Sequence, residues 1–197
     1  ADDCTQVSRA VTAVAMSTRA PNDIGGPPGR CPNGTAPAPV YSEDFEGTAS
    51  SIGTFSTAAG SEWILADGDP MPSYATSGTR SMYGPDTSFA GTSTAQTFST
   101  IHLPANPAFL TFNHAFGFEP RFDYGTFALS ADAGATWQDL GSVATAGGYN
   151  GSVNAIPSYN AWSGGYVTTN VSLAPYANQD ILLRWEIHTD TGGSGDG

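Results

Sequence analysis

Carboxylates near the start of the β-rich part of the chain are the side chains best placed for metal chemistry. Asp44 and Glu46 stand two positions apart, so a strand would place both on one face and Phe45 on the other. Asp67 and Asp69 flank a glycine and therefore predict two carboxylates in one turn. Hard cations favour such oxygen clusters, so we predict a structural calcium ion bound by these four carboxylates. The alternative is a solvated edge and an ordinary turn.

No catalytic residue is predicted, because the motifs that organise catalysis are absent from the sequence. It has no His-Glu-x-x-His zinc motif, no Gly-x-Ser-x-Gly elbow and no phosphate loop. Glu119 and Asp123 invite comparison with the carboxylate pair of a glycoside hydrolase, but they flank Pro120 and are better explained as turn residues. His114 alternates with Phe112 and is therefore predicted to lie in the core.

Aromatic side chains in a Gly- and Asn-rich stretch form a candidate binding surface. Tyr149, Tyr159 and Trp162 occur within 14 residues. Flat amphipathic rings bind sugars or protein segments with little loss of entropy. We therefore predict a ligand-binding surface at these three residues, with packing of Trp162 under a long loop as the alternative.

The composition predicts a stable domain with an acidic surface. The chain has 197 residues, 18 acidic against 6 basic side chains and a formal net charge of -12. Nucleic acid is excluded as an expected partner because phosphate binding needs clustered cations. No apolar run approaches the length of a membrane span.

Residues 1–39 are predicted to form a helix followed by a tether. Apolar residues recur at helical spacing after the candidate caps Asp2 and Asp3, and they are Val7, Ala10, Val11 and Val14. The Pro- and Gly-rich residues 22–39 cannot sustain a helix or a strand. A disulfide between Cys4 and Cys31 is predicted and implies an extracytoplasmic protein; two reduced thiols are the alternative.

Residues 40–197 are predicted to form an antiparallel β-sandwich. Short alternating segments are separated by turn residues, and no βαβ rhythm appears. The predicted strands cover 40–46, 62–66, 80–83, 94–103, 108–118, 123–130, 136–143, 165–173 and 180–188. In the last of these, Ile181, Leu183, Trp185 and Ile187 are assigned to the core face.

A short motif predicts a hairpin after the strand at 123–130. The spacing Ser-x-Asp-x-Gly-x-Thr-Trp is met by Ser130, Asp132, Gly134, Thr136 and Trp137. This motif resembles the Asp boxes of sialidase propellers, which are structural turns. The single copy argues against a propeller, in which such units recur.

Several segments together resemble the MAM-like jelly-roll domains appended to secreted bacterial metallopeptidases, and the related cleaved-adhesin modules. These segments are Tyr41–Gly47, Ser77–Ser81, Leu110–Glu119, Ser130–Trp137, Trp162–Tyr166 and Leu183–Trp185. The resemblance covers residues 40–197 and implies a jelly roll, with calcium binding. Asp3–Val7 and Ala10–Val14 resemble the final helix of a thermolysin- or fungalysin-like catalytic domain. The family pattern also implies a closing strand with an Asp pair beyond Gly197, which this sequence does not contain.

The resemblance implies a non-catalytic accessory domain of a secreted bacterial metalloprotease. Its expected task is to bind a protein substrate or a surface, or to stabilise the enzyme. A free-standing adhesin or carbohydrate-binding module is the alternative, and a glycoside hydrolase is the third hypothesis.

Overall fold

The computed structural model describes residues 5–12, 38–47, 50–57, 60–67 and 75–193, and in these residues the protein is built from strands. The strands are β1 (Thr5–Thr12), β2 (Ala38–Pro39), β3 (Ile52–Ser56), β4 (Ile64–Ala66), β5 (Ser81–Tyr83), β6 (Gly91–Thr97), β7 (Ile101–His102), β8 (Ala108–His114), β9 (Tyr124–Ser130), β10 (Gln138–Asp139), β11 (Gly151–Val153), β12 (Ile156–Ser158), β13 (Val167–Ser172) and β14 (Asp180–Thr189). Two 3₁₀ turns lie at Gly141–Val143 and Ala174–Tyr176. The predicted all-β class is confirmed.

Two sheets carry most of the strands. The larger has the order β10-β9-β14-β6-β3, with β7 also paired to β14, and every pairing in it is antiparallel. The second has the order β13-β8-β1-β2, in which β13 is antiparallel to β8 while β1 runs parallel to both its neighbours. Two small two-stranded antiparallel sheets, β4-β5 and β11-β12, complete the set in the described residues.

Aromatic side chains join the two sheets. The ring of Phe112 on β8 lies 4.9 Å from that of Phe127 on β9 and 5.5 Å from that of Trp185 on β14. The predicted core face of β14 is confirmed, because Ile181, Leu183, Trp185 and Ile187 are all buried. Burying this many large apolar side chains is the main stabilising contribution to such a domain.

The predicted N-terminal helix is not confirmed. Thr5–Thr12 form a strand, and this segment contains β-branched residues that favour extended backbone. Val14, residues 22–37 of the predicted tether and both cysteines lie outside the described residues, whereas the last two tether residues, Ala38–Pro39, form β2. The disulfide between Cys4 and Cys31 therefore stays a prediction.

The predicted strand over 40–46 is wrong. Residues 41–47 form no strand, and Phe45 has a φ of 63° that a strand does not allow. Phe45 is nevertheless buried, so its apolar character correctly predicts a core position but does not predict the backbone conformation. Five strands of the described residues were not predicted: β1, which lies in the predicted helix, β2, which lies in the predicted tether, and β3, β11 and β12. In the part of the chain that the structure describes, no helix is long and apolar enough to cross a membrane.

Candidate functional site

Three carboxylates meet at one end of the larger sheet. Glu119 and Asp123 bracket the turn between β8 and β9, in which the backbone N–H groups of Phe122 and Asp123 donate to the Glu119 carbonyl at 3.3 and 3.1 Å. Asp190 directly follows β14, which pairs with β9. One oxygen of each carboxylate lies within 4.8 Å of the other two. Strand pairing therefore joins residues that are far apart in sequence into one acidic group.

These carboxylates are incompletely hydrogen bonded. Glu119 Oε2, Asp123 Oδ2 and Asp190 Oδ1 are buried atoms, and none has a hydrogen-bond partner among the described residues. Asp123 is 0% exposed as a residue. Its other oxygen accepts one bond, from the backbone N–H of Asp190 at 2.8 Å. Buried polar atoms are nearly always satisfied, so three orphaned oxygens in one place require an explanation.

The electrostatic environment of Asp123 opposes its charge. Burial raises the pKa of this carboxyl to about 7, and the negative charges of Asp86 and Asp190 act in the same direction. The backbone N–H of Asp190 opposes the shift and does not overcome it. Asp86 is itself buried, and its Oδ2 accepts from the Glu119 N–H at 3.3 Å. The site therefore gathers several carboxylates around a buried one.

Two glycines let the segment after β14 pass over the carboxylates. A Cβ at Gly193 would lie 2.9 Å from Glu119 Oε2. A Cβ at Gly192 would lie 3.0 Å from Asp190 Oδ1 and 3.4 Å from Glu119 Oε2. The close approach is therefore possible because side chains are absent here.

The carboxylates predicted to bind calcium are placed elsewhere. Within the described residues, Glu119, Asp123 and Asp190 are the one acidic group whose ligand atoms converge, so Asp44, Glu46 and Asp67 belong to none. Asp69 lies outside the described residues.

Hydrogen bonds show how the first of these carboxylates are used. Glu46 accepts from the Thr79 N–H at 2.7 Å, the Thr79 hydroxyl at 2.9 Å and the Arg80 N–H at 2.7 Å. These donors, with Thr79 first, lower the pKa of Glu46. Asp44 is exposed and accepts from the Glu46 N–H at 3.1 Å. Asp44 and Glu46 therefore accept hydrogen bonds from donors of the protein and hold their loop in place.

Trp162 is an exposed ring supported from below. It is 59% exposed, and its Cε3, Cζ3 and Cδ2 atoms lie 3.5, 3.6 and 3.7 Å from the position that a Cβ at Gly117 would take. The backbone around it is fixed, because the Phe118 N–H donates to the Ala161 carbonyl and the Ser163 N–H donates to the Phe116 carbonyl, both at 2.9 Å. One side of the indole therefore rests on backbone while much of the ring faces solvent.

Tyr149 and Tyr159 do not share this exposure. Tyr159 is 4% exposed, and its hydroxyl donates to the Gly147 carbonyl at 3.1 Å. The half-buried Tyr149 donates to Asp139 Oδ1 at 2.6 Å, and burial raises the pKa of its hydroxyl. The two rings meet edge to face at 4.8 Å. Of the three predicted binding residues, Trp162 is the one whose ring is open to a ligand.

His114 lies among aromatic rings. Its ring centroid is 5.0 Å from that of Phe112 and 4.5 Å from that of Tyr159, and its Nε2 lies 2.9 Å from Thr169 Oγ1. Burial lowers the pKa of the imidazole to about 3. The side chain is therefore neutral at ordinary pH and packs against the core rings of Phe112 and Tyr159.

The Asp-box residues form the turn between β9 and β10. Asp132 accepts from the Thr136 N–H at 2.8 Å, the Thr136 hydroxyl at 2.6 Å and the Ser130 hydroxyl at 2.7 Å. Gly134 has a φ of 91° and donates its N–H to the Ser130 hydroxyl at 2.8 Å. Arg184 lies 4.1 Å above the Trp137 ring. The motif is therefore a structural turn in which the Asp132 carboxylate accepts hydrogen bonds from groups of the turn itself.

The sequence predicts Glu119 and Asp123 as turn residues and gives no connection between them and Asp190. The turn is present, yet the signal that would have completed the group is long-range strand pairing, which local spacing does not encode. Comparison of the chain with protein-family models, with curated proteins and with solved structures found no match.

Proposed function

We propose that the chain is a non-catalytic binding domain that holds an extended polymer against Trp162. The carrying observation is the support of this ring, which rests on Gly117 while 59% of the residue remains exposed. A ring already fixed by backbone loses little entropy when a ligand stacks on it. Large exposed aromatics of this kind act as anchors in recognition surfaces.

The resemblance to MAM-like domains supports the wider biological context of the proposal. In that context the domain is a jelly roll attached to a secreted bacterial metallopeptidase, and its ligand is a segment of protein substrate or a cell-surface polymer. The net charge of -12 disfavours anionic ligands and is compatible with neutral or basic ones.

A free-standing adhesin or carbohydrate-binding module is the alternative, and the same ring supports it. A flat indole with one supported side can stack on the apolar face of a sugar as well as on a peptide. The ligand class therefore decides between the two proposals.

Pull-down on insoluble polymers tests both proposals. Wild-type protein is incubated with gelatin and casein beads and, in parallel, with cellulose and chitin. Retention on the protein beads supports the accessory domain, and retention on the polysaccharides supports the alternative. In either case Trp162→Ala should weaken binding about tenfold or more, as loss of an aromatic anchor does.

Phe55→Ala is the matched control, because Phe55 is 56% exposed but lies on β3 at the edge of the larger sheet. It should bind as wild type does. Equal retention of Trp162→Ala and wild type would contradict the proposed surface.

A further inference from the structure

Asp123 is a buried carboxylate with an oxygen that the described residues leave unsatisfied. The residue is 0% exposed, and its Oδ2 is enclosed together with Glu119 Oε2 and Asp190 Oδ1, which are also without partners in the described part of the chain. Burying a charged group without a partner is costly, and proteins meet that cost by pairing the charge or by coordinating a metal. The acidic side chains around it, Glu119, Asp86 and Asp190, supply no positive charge to offset it.

We propose that Glu119, Asp123 and Asp190 bind one calcium ion. Calcium takes oxygen ligands at about 2.3–2.6 Å, so two of its ligands can be at most about 4.6–5.2 Å apart. The three carboxylate oxygens lie within 4.8 Å of one another, which meets that limit. The orphaned oxygens point to a ligand independently of the charge count.

The ligand set selects calcium among the common cations. All three donors are carboxylate oxygens, whereas zinc and copper sites draw on histidine and cysteine. The donors come from a turn and from a chain segment beyond a strand, and such irregular backbone suits the flexible geometry of calcium better than the strict octahedron of magnesium. Asp86, whose Oδ2 is bonded to the Glu119 N–H, adds a fourth negative charge beside the group.

The ion would fasten two separate parts of the fold. Glu119 and Asp123 belong to the turn between β8 and β9, whereas Asp190 follows β14. The segment after β14 passes close to Glu119, because a Cβ at Gly192 or Gly193 would lie within 3.4 Å of Glu119 Oε2. Calcium would therefore close the end of the larger sheet, and this role is separate from binding at Trp162.

Calcium titration of the chelator-treated full chain tests the proposal. Isothermal calorimetry should show one calcium ion per chain, and thermal unfolding should move to higher temperature in millimolar calcium than in EDTA. Magnesium at the same concentration should give a much smaller shift. Asp123→Asn should weaken calcium binding by at least about 10- to 100-fold, a range that even outer-sphere partners of metals control.

Asp44→Asn is the control, because this exposed carboxylate belongs to the first predicted calcium set. It should bind calcium as wild type does. If Asp123→Asn fails to fold by circular dichroism in EDTA, Glu119→Gln replaces it, since Glu119 is only half-buried. Wild-type protein without calcium binding, or loss of binding in Asp44→Asn but not in the cluster variants, would overturn the proposal. Trp162→Ala should keep its calcium affinity, so the two proposals fail separately.

Discussion

Two aspartates near the ends of strand β9 have opposite environments. Asp132 follows the strand, is exposed and accepts hydrogen bonds from Thr136 and Ser130, which lower its pKa to about 2. Asp123 precedes the strand and is buried, and this burial raises its pKa to about 7. The difference shows that the hydrogen-bond donors around a carboxylate decide whether its oxygens are satisfied. The residue type and the position beside a turn do not decide it.

The two ends also differ in where their partners come from. The partners of Asp132 lie within four residues of it. The backbone N–H that donates to Asp123 Oδ1 belongs to Asp190, 67 positions away, and Asp123 Oδ2 has no hydrogen-bond partner among the described residues. The Asp132 turn is completed by its own residues, whereas the turn that gathers distant acids is the place where we propose an ion.

The largest expected effect comes from breaking the strand that the two turns share. Phe127 is 0% exposed at the centre of β9, with ring centroids 4.9 Å from Phe112 and 5.2 Å from Trp185. Phe127→Ala should lower the free energy of unfolding by about 3–5 kcal/mol, the usual cost of such a cavity. Urea unfolding should show this loss in calcium and in EDTA alike. Phe98→Ala, which truncates a 70% exposed ring, should change little. A loss of stability seen in calcium but not in EDTA would contradict the interpretation that Phe127 stabilises the strand shared by the two turns.

Parts of the fold that depend on local pattern could be predicted from the sequence. The alternation in β14 identified its buried face, and the Ser-x-Asp-x-Gly-x-Thr spacing identified the turn after β9. The error at Phe45 has a physical cause, because a residue with a φ of 63° can bury its ring without strand geometry.

The acidic cluster could not be predicted in the same way. Glu119 and Asp123 are visible as a pair in sequence, but their third member reaches them through the pairing of β14 with β9. Trp162 is exposed whereas Tyr159 is buried. The exposed face of Trp162 likewise depends on how its loop rests on Gly117. Tertiary contacts of this kind leave no mark in local spacing.

A histidine packed among aromatic rings gives a second test of how burial shifts a pKa. His114 titrates near 6.5 in an unfolded chain, whereas burial lowers its pKa in the fold to about 3. Below about pH 6.5 the unfolded chain takes up a proton that the folded chain does not, so stability falls on acidification. This one group should contribute a slope of about 1.4 kcal/mol per pH unit between these two values.

His114→Gln should remove that contribution while keeping a polar group towards Thr169. Denaturant unfolding of both proteins in EDTA should give a constant difference above pH 7 and a diverging one below about pH 6.5, the variant being less sensitive to acid. Parallel profiles across this range would show that the imidazole is protonated in the fold.

Substitution of Gly134, in the turn after β9, should lower the free energy of unfolding by a smaller amount that does not depend on calcium. Gly134 has a φ of 91°, but a Cβ there would meet nothing closer than 3.8 Å, so the cost of Gly134→Ala is backbone strain. We expect roughly 1–2 kcal/mol of destabilisation, equal in calcium and in EDTA. Unequal losses would mean that the two ends of β9 are coupled.

Substitution of Gly193, in the segment after β14 that passes over the carboxylates, should give the smallest change in stability and, unlike Gly134→Ala, an effect that depends on calcium. A Cβ at Gly193 would lie 2.9 Å from Glu119 Oε2, the end of a flexible side chain that can move aside when no ion holds it. Gly193→Ala should therefore leave unfolding in EDTA nearly unchanged and weaken calcium binding a few-fold, because the displaced carboxylate is a proposed ligand. Calorimetry and thermal unfolding measure the two effects on the same sample. If Gly193→Ala destabilised the protein equally with and without calcium, the packing of the segment after β14 would stabilise the fold without an ion. The contrast between the two ends of β9 would then not depend on calcium.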